Sequence, residues 1–309
     1  MNKSPLSLVQ SLMIITKPLI SVLFLYFFFI FSSLPSPSHC NVDDSQSFLG
    51  QCSRPYECGN ITNISYPFWG GSRPQYCGHP EFELRCITYS KDQYPVIEIN
   101  GLDFRILNIN GSNGASGSLR IARLDLWDGL CSSKVRLVNT TLNYNLFFDS
   151  APTVNDELSL FYNCTQPPNY LLLSLGDSST CGAEMTEIVY YANQTLLESL
   201  DSVNLKACEN VVQVPVLRAA FDHHEVNALA AYQSGIFTFS GIDEVLNQGF
   251  QVEYNKTVRS LCEQCERSGG TCGSDNTTLK FLCFCRDNTH DFACTGNGEG
   301  LNWKVKAAI

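Results

Sequence analysis

Val96-Ile97-Glu98-Ile99, Phe104-Arg105-Ile106-Leu107 and Leu119-Arg120-Ile121-Ala122-Arg123-Leu124-Asp125-Leu126 alternate apolar and polar residues, with turn signals at Asn100-Gly101 and from Asn110 to Gly117 between them. A period of two sends successive side chains to opposite faces of an extended chain, so these runs predict half-buried antiparallel strands. The pattern begins upstream at Phe82, Leu84 and Cys86 and predicts further strands at Leu158 to Tyr162 and Tyr170 to Leu175. Pro167-Pro168 interrupts the series and marks the expected domain boundary. Beyond it, Glu184 to Tyr191, Asn210 to Leu217 and Phe250 to Tyr254 read as strands, whereas Asp222 to Tyr232 and Ile242 to Asn247 read as helices. Asp222 and Glu225 have capping-box spacing for the first helix, and Gly249 ends the second. The expected fold class is β-rich and disulfide-stapled, in two modules with a few short helices in the second.

Outward from this core, the chain of 309 residues carries 15 cysteines. Residues 1–40 read as a signal peptide: Lys3 and Lys17 precede the apolar run Pro18 to Phe31. That run is shorter than the ~18 to 20 residues that span a bilayer. Ser38 and Cys40 are small residues placed for a cut before Asn41, which would remove Cys40 and leave an even set. The remaining cysteines are Cys52, Cys58, Cys77, Cys86, Cys131 and Cys164 before Pro167, and Cys181, Cys208, Cys262, Cys265, Cys272, Cys283, Cys285 and Cys294 after it. Even counts on each side permit closed disulfide sets, and the pairing in the first module stays open. The expected location is secreted, in the extracellular space or cell wall, with membrane attachment only if the leader is uncleaved or the chain is part of a receptor.

Asn-x-Ser/Thr sequons at Asn60, Asn63, Asn110, Asn139, Asn163, Asn193, Asn255 and Asn276 also point to secretion, each expected at the surface because a glycan needs solvent. Charged residues make up 16% of the chain, and the net charge of −10 excludes a basic phosphate-binding surface and hence nucleic acid as a partner.

The segment Cys52-Ser53-Arg54-Pro55-Tyr56-Glu57-Cys58-Gly59 leads to Ile64-Ser65-Tyr66-Pro67-Phe68-Trp69, Tyr76-Cys77-Gly78-His79-Pro80 and Phe82-Glu83-Leu84-Arg85-Cys86. This order resembles the galacturonan-binding extracellular module of plant wall-associated receptor kinases, over roughly Cys52 to Cys164. The later segments Gly249 to Tyr254, Cys262-Glu263-Gln264-Cys265, Ser268 to Gly273 and Phe281 to Cys285 resemble the C-terminal companion module of the same receptors. Together they resemble the ectodomain of the leaf-rust-resistance type of receptor-like kinase. The expected layout is a module over 41–166, a second over 167–294 and a polar tail over 295–309. No Gly-rich phosphate loop, Val-Ala-Ile-Lys strand, His-Arg-Asp loop or Asp-Phe-Gly occurs, so kinase activity is not expected of this chain, whether it is a secreted ectodomain or an incomplete gene product.

The resemblance implies binding of pectic polysaccharide in the cell wall, without chemical turnover. A polyanion of this kind calls for cations, hydrogen-bond donors or a bridging calcium, plus aromatic faces for sugar rings. Arg54, Trp69, Arg73 and Tyr76 are the candidate polysaccharide contacts; Arg85 and Lys91 are further cations, and Tyr56 and Tyr66 further aromatics. The other reading is a non-sugar interaction or decoy module that pairs with a receptor-kinase ectodomain. The Cys262-x2-Cys265 and Cys283-x-Cys285 pairs have near-ribbon spacing for zinc, but an oxidising compartment favours disulfides and no metal is expected. The region also resembles the latter part of an epidermal-growth-factor-like repeat, which implies Cys262 with Cys272, Cys265 with Cys283, and Cys285 with Cys294. Asp222-His223-His224-Glu225 reads as a solvated helix start, and no catalytic residue is assigned.

Overall fold

The computed structural model describes residues 44–110, 117–165, 178–181, 187–194, 197, 208–233 and 241–295. The expected signal peptide, the expected strand Tyr170 to Leu175, Pro167-Pro168 and the tail after Thr295 lie outside the described residues. In chain order the elements are α1 (Asp44–Cys52), β1 (Tyr56–Cys58), β2 (Ile61–Ile64), β3 (Arg85–Tyr89), β4 (Asp92–Ile99), β5 (Leu102–Asn110), β6 (Ser118–Arg123), β7 (Phe147–Asp149) and β8 (Asn155–Cys164). There follow β9 (Ser178–Cys181), β10 (Glu187–Asn193), β11 (Cys208–Leu217), α2 (Arg218–Gln233), α3 (Ile242–Gln248), β12 (Phe250–Tyr254), α4 (Lys256–Arg267), β13 (Thr271–Ser274), β14 (Phe281–Phe284) and β15 (Thr289–His290). The chain is β-rich, as the alternation requires.

A six-stranded sheet runs in the order β3-β4-β5-β6-β12-β7. Val96 pairs with Arg105, Glu98 with Asp103 and Ile106 with Ile121, so Ile97, Ile99, Phe104, Ile106, Leu119 and Ile121 face one buried core. Leu124–Leu126, expected to prolong β6, is instead a turn of 3-10 helix. It folds back because Asp125 binds Arg123: Nε and Nη2 of Arg123 donate to the two carboxylate oxygens at 3.0 and 2.7 Å.

The second sheet, β11-β8-β10-β9, packs its Leu158, Leu160, Tyr191, Val212, Val214 and Val216 against Phe221 of α2 and Ile242 and Val245 of α3. Helix α2 begins at Arg218 rather than Asp222, so Asp222 lies within the helix and is not its cap. Gly249 closes α3 as expected, with a φ of +68° that a side chain rarely adopts.

Three features cross the expected boundary. Strand β8, from before Pro167, pairs with β10 and β11 from after it. Strand β12 lies between β6 and β7, with Phe250 opposite Ile121 and Val252 opposite Leu119. Cys131 is bonded to Cys181, and Cys164 to Cys208, so the disulfides do not form closed sets on either side of Pro167. The bonds Cys52–Cys77 and Cys58–Cys86 remain within the N-terminal region. The C-terminal pairs are Cys262–Cys272, Cys265–Cys283 and Cys285–Cys294, those the growth-factor resemblance implied. Cys262 and Cys265 stand on α4, a helix absent from the sequence reading; Asn255 caps it, its side chain accepting from Thr257 N at 2.8 Å.

Candidate functional site

The four residues singled out from sequence fare differently. Arg73 is buried: Nε donates to Phe68 O at 3.1 Å, Nη1 to Cys52 O and Arg54 O at 2.6 and 3.0 Å, and Nη2 to Cys77 O at 2.8 Å. Its donors are spent on the protein's own main chain, so it positions the Cys52–Cys77 region and is withdrawn as a polysaccharide contact. Burial pulls its pKa down to about 10, opposed by the nearby Tyr56.

Trp69 is half-buried, its indole donating to His79 O at 3.0 Å and packing beside Gly78, where an added Cβ would lie 2.8 Å from the Trp69 side chain. Tyr76 stands edge-on to Phe48, with ring centroids 4.9 Å apart, and edge-on to Phe284; its hydroxyl binds Gln51. It joins α1 to the C-terminal cysteine-rich unit. Arg54 is exposed. The four do not form one surface of free donors and aromatic faces.

The outer face of β3, β4 and β5 instead brings cations and aromatic rings together, with the Tyr89 ring exposed and Tyr94 buried. Alternation turns Arg85, Tyr89, Tyr94, Glu98, Asp103 and Arg105 away from the core that Ile97 and Phe104 enter. The Arg105 guanidinium carbon lies 4.1 Å from the ring centroid of Tyr94 and 4.1 Å from that of Trp127, so two aromatic rings hold it. Contacts of this kind contribute roughly 0.5–2 kcal/mol each and, more to the point, fix the plane of the fork. The guanidinium of Arg105 has no hydrogen-bond acceptor among the described residues.

Around it, Arg85 is paired with Asp103, and Lys134 Nζ is 2.7 Å from Asp128 Oδ2 and 5.9 Å from the centroid of the exposed Tyr89 ring. The hydrogen bond and charge of Asp128 raise the Lys134 pKa, holding the ammonium charged. Tyr89, Tyr94, Arg105, Trp127 and Lys134 were missed from sequence. The available signal was the alternation itself, which sends Tyr94 and Arg105 to one side of adjacent strands; Trp127 and Lys134 arrive through the 3-10 turn, which periodicity does not predict.

Among the sequons, Asn60, Asn63, Asn110, Asn139, Asn163 and Asn276 are exposed, and Asn255 is half-buried at the α4 cap. Asn193 departs from expectation. It is buried, and its amide nitrogen lies 3.4 Å from Asp156 Oδ2 inside the second sheet. A glycan on that amide is incompatible with this packing. Asp222, His223 and Glu225 are exposed, whereas His224 is buried between Tyr191 and Phe221, so the stretch is solvated except at His224.

Comparison with known proteins places these elements. Residues 52–123, which include β1 to β6, match the family described as wall-associated receptor kinase galacturonan-binding. Residues 178–288 match the family described as wall-associated receptor kinase C-terminal. Both ectodomain modules of these receptor kinases are present in this chain. Relatives from Arabidopsis thaliana include leaf rust 10 disease-resistance locus receptor-like protein kinase-like 2.1, 28% identical over 84% of this chain and 37% of its own length. The like 2.8 protein is 30% identical over 84% of this chain and 24% of its own length, and the like 2.4 protein 39% identical over 43% and 19%. The chain therefore spans less than two fifths of these curated relatives. No solved structure matches. Among the described residues, no helix is long and apolar enough to cross a membrane.

The two family matches lie on either side of Cys131 and Cys164, yet β12 of the C-terminal module completes the sheet of the galacturonan-binding one. The outer face of β3 to β5 lies almost wholly inside the galacturonan-binding match, with Trp127 and Lys134 supplied just after it.

Proposed function

We propose that this chain binds acidic polysaccharide of the pectic, galacturonan type outside the cell, through the outer face of β3 to β5, and does so without chemical turnover. The observation that supports this most directly is Arg105, a cation set between the rings of Tyr94 and Trp127 whose donors meet no acceptor among the described residues. A uronate carboxylate accepts two parallel hydrogen bonds from such a fork, and the ring of the sugar lies against an adjacent aromatic face. Arg85 and Lys134 add positive charge on the same face, in a chain whose total is −10. The acids Asp103 and Asp128 hold those two side chains in place and temper their charge, so recognition rests on geometry more than on net field. The two modules and the seven disulfides support the extracellular part of this reading.

Calorimetric titration of the disulfide-intact chain with oligogalacturonides, with and without calcium, tests the proposal. Binding of the wild type, with Arg105→Ala and Trp127→Ala each weakening it about tenfold or more, is the expected result; one lost charge-assisted contact is worth about 1.5–3 kcal/mol. Raising salt should weaken binding in the calcium-free arm. No binding in either arm, or equal binding by both variants, overturns it. Release of shorter oligomers would replace it with a hydrolytic reading.

A further inference from the structure

A second feature lies at the far turn of β4 and β5. Asn100, Leu102, Arg136, Leu137, Val138, Asn139 and Thr141 line a groove of ≈ 520 Å³. Leu137 and Val138 are 43% and 45% exposed although adjacent in sequence. They cannot turn inward, because the main chain that carries them is pinned from below. Arg136 N donates to Asp125 Oδ2 at 2.8 Å, while Arg123 donates to Arg136 O at 2.8 Å and to Val138 O at 2.7 Å. Arg123 is buried and chelated by Asp125, so this clasp is fixed in charge and direction.

Asn139 stands on the rim of the same groove and begins the sequon Asn139-Thr140-Thr141. Its Oδ1 accepts from Gln213 N at 3.0 Å and its Nδ2 donates to Gln213 Oε1 at 3.1 Å, which seats the side chain against β11. Nδ2 carries two hydrogens, so one can be replaced while Oδ1 keeps its bond to the main chain.

We infer that Asn139 is a glycosylated position whose first sugars lie in this groove and cover Leu137 and Val138. The proposal rests on the extracellular reading above. In the modification, Nδ2 forms a bond to the reducing-end C1 of a lipid-pyrophosphate-linked oligosaccharide, the C1–O bond to pyrophosphate breaks, and Nδ2 loses one proton. The C–H faces and acetamido methyl of the attached sugar suit the apolar pair, and its hydroxyls suit the Arg136 and Asn100 side chains that bound the groove. An occupant tethered at the rim is favoured over a free partner because its effective concentration is high and no separate encounter is needed.

The test compares wild type with Thr141→Ala, which abolishes the sequon but keeps Asn139, and Thr141→Ser, which preserves it. Each is secreted from eukaryotic cells and mapped by peptide mass spectrometry. Expected are a glycan at Asn139 in wild type and Thr141→Ser only, faster hydrogen exchange over residues 137–141 in Thr141→Ala, and several-fold stronger binding of an apolar dye by that variant. Occupancy at Asn60, Asn163 and Asn276 reports whether the chain passes through the secretory pathway. If those are occupied and Asn139 is not, this inference alone is overturned; if none is, the extracellular reading fails with it. A glycan at Asn139 whose loss leaves exchange and dye binding unchanged overturns the groove assignment.

Discussion

Arg73 and Arg105 look alike in sequence, each a lone cation in a stretch with aromatic neighbours, and the fold gives them opposite tasks. Arg73 sits among four main-chain carbonyls, so replacing it by Met removes charge-assisted bonds and leaves buried acceptors unsatisfied. We expect Arg73→Met to lower stability by about 2–4 kcal/mol, read from urea unfolding with disulfides intact. His224 gives a pH signature. Burial lowers its pKa below the usual 6.5, so the folded chain resists the proton that the unfolded chain accepts. Stability contributed by neutral His224 is therefore complete above about pH 6.5 and lost as pH falls toward the folded pKa. His79 shifts in the same direction through burial and adds to the slope. Thermal melts between pH 7 and 5 should decline, and His224→Phe should flatten the decline relative to wild type; an unchanged slope would remove His224 as a cause.

At the scale of elements, the alternation in residues 96–126 identified β4, β5 and β6 because one buried face imposes a period of two whatever lies opposite. It overran at Leu124–Leu126, where the Arg123–Asp125 pair turns the chain. Strand β12 was also legible as a strand, but its partners were not: a hydrophobic pattern states which face is buried and is silent about which strand lies alongside. Gly249 fixes that placement. An added Cβ there would stand 2.1 Å from Ile121 O, and the φ of +68° resists any side chain. Gly249→Ala should push β12 away from β6 and destabilise the chain by about 2 kcal/mol or more, checked by the melting temperature and by faster hydrogen exchange at residues 250–254. The missed α4 has a physical origin as well, since two of its four apolar positions, Cys262 and Cys265, are cysteines bridged to β13 and β14.

In the whole molecule, two disulfides, the pairing of β8 with β10 and β11, and the insertion of β12 between β6 and β7 tie the regions on either side of Pro167 into a single folding unit. The Cys131–Cys181 and Cys164–Cys208 bonds close sequence separations of 50 and 44 residues, each contributing about 4 kcal/mol in the chain-entropy account. A secreted fragment comprising residues 41–166 lacks β12 and the partners of Cys131 and Cys164. It should fail to yield a monomer with native disulfides, as judged by free-thiol titration and non-reducing electrophoresis. Recovery of a stable fragment with two free thiols and native binding would show that the first module folds alone.

The amino-acid sequence by itself determined the β-rich class, the cysteine inventory, the C-terminal pairing through its resemblance and the receptor-kinase family of the two modules. These depend on local periodicity and on short ordered motifs. Tertiary structure decided that Arg73 is an internal brace, that Arg105 stands between Tyr94 and Trp127, that Asn193 is closed to solvent and that the modules share a sheet. Those outcomes depend on which surfaces meet across distant parts of the chain, and residue type fixes a side chain's chemistry without fixing what will be placed against it.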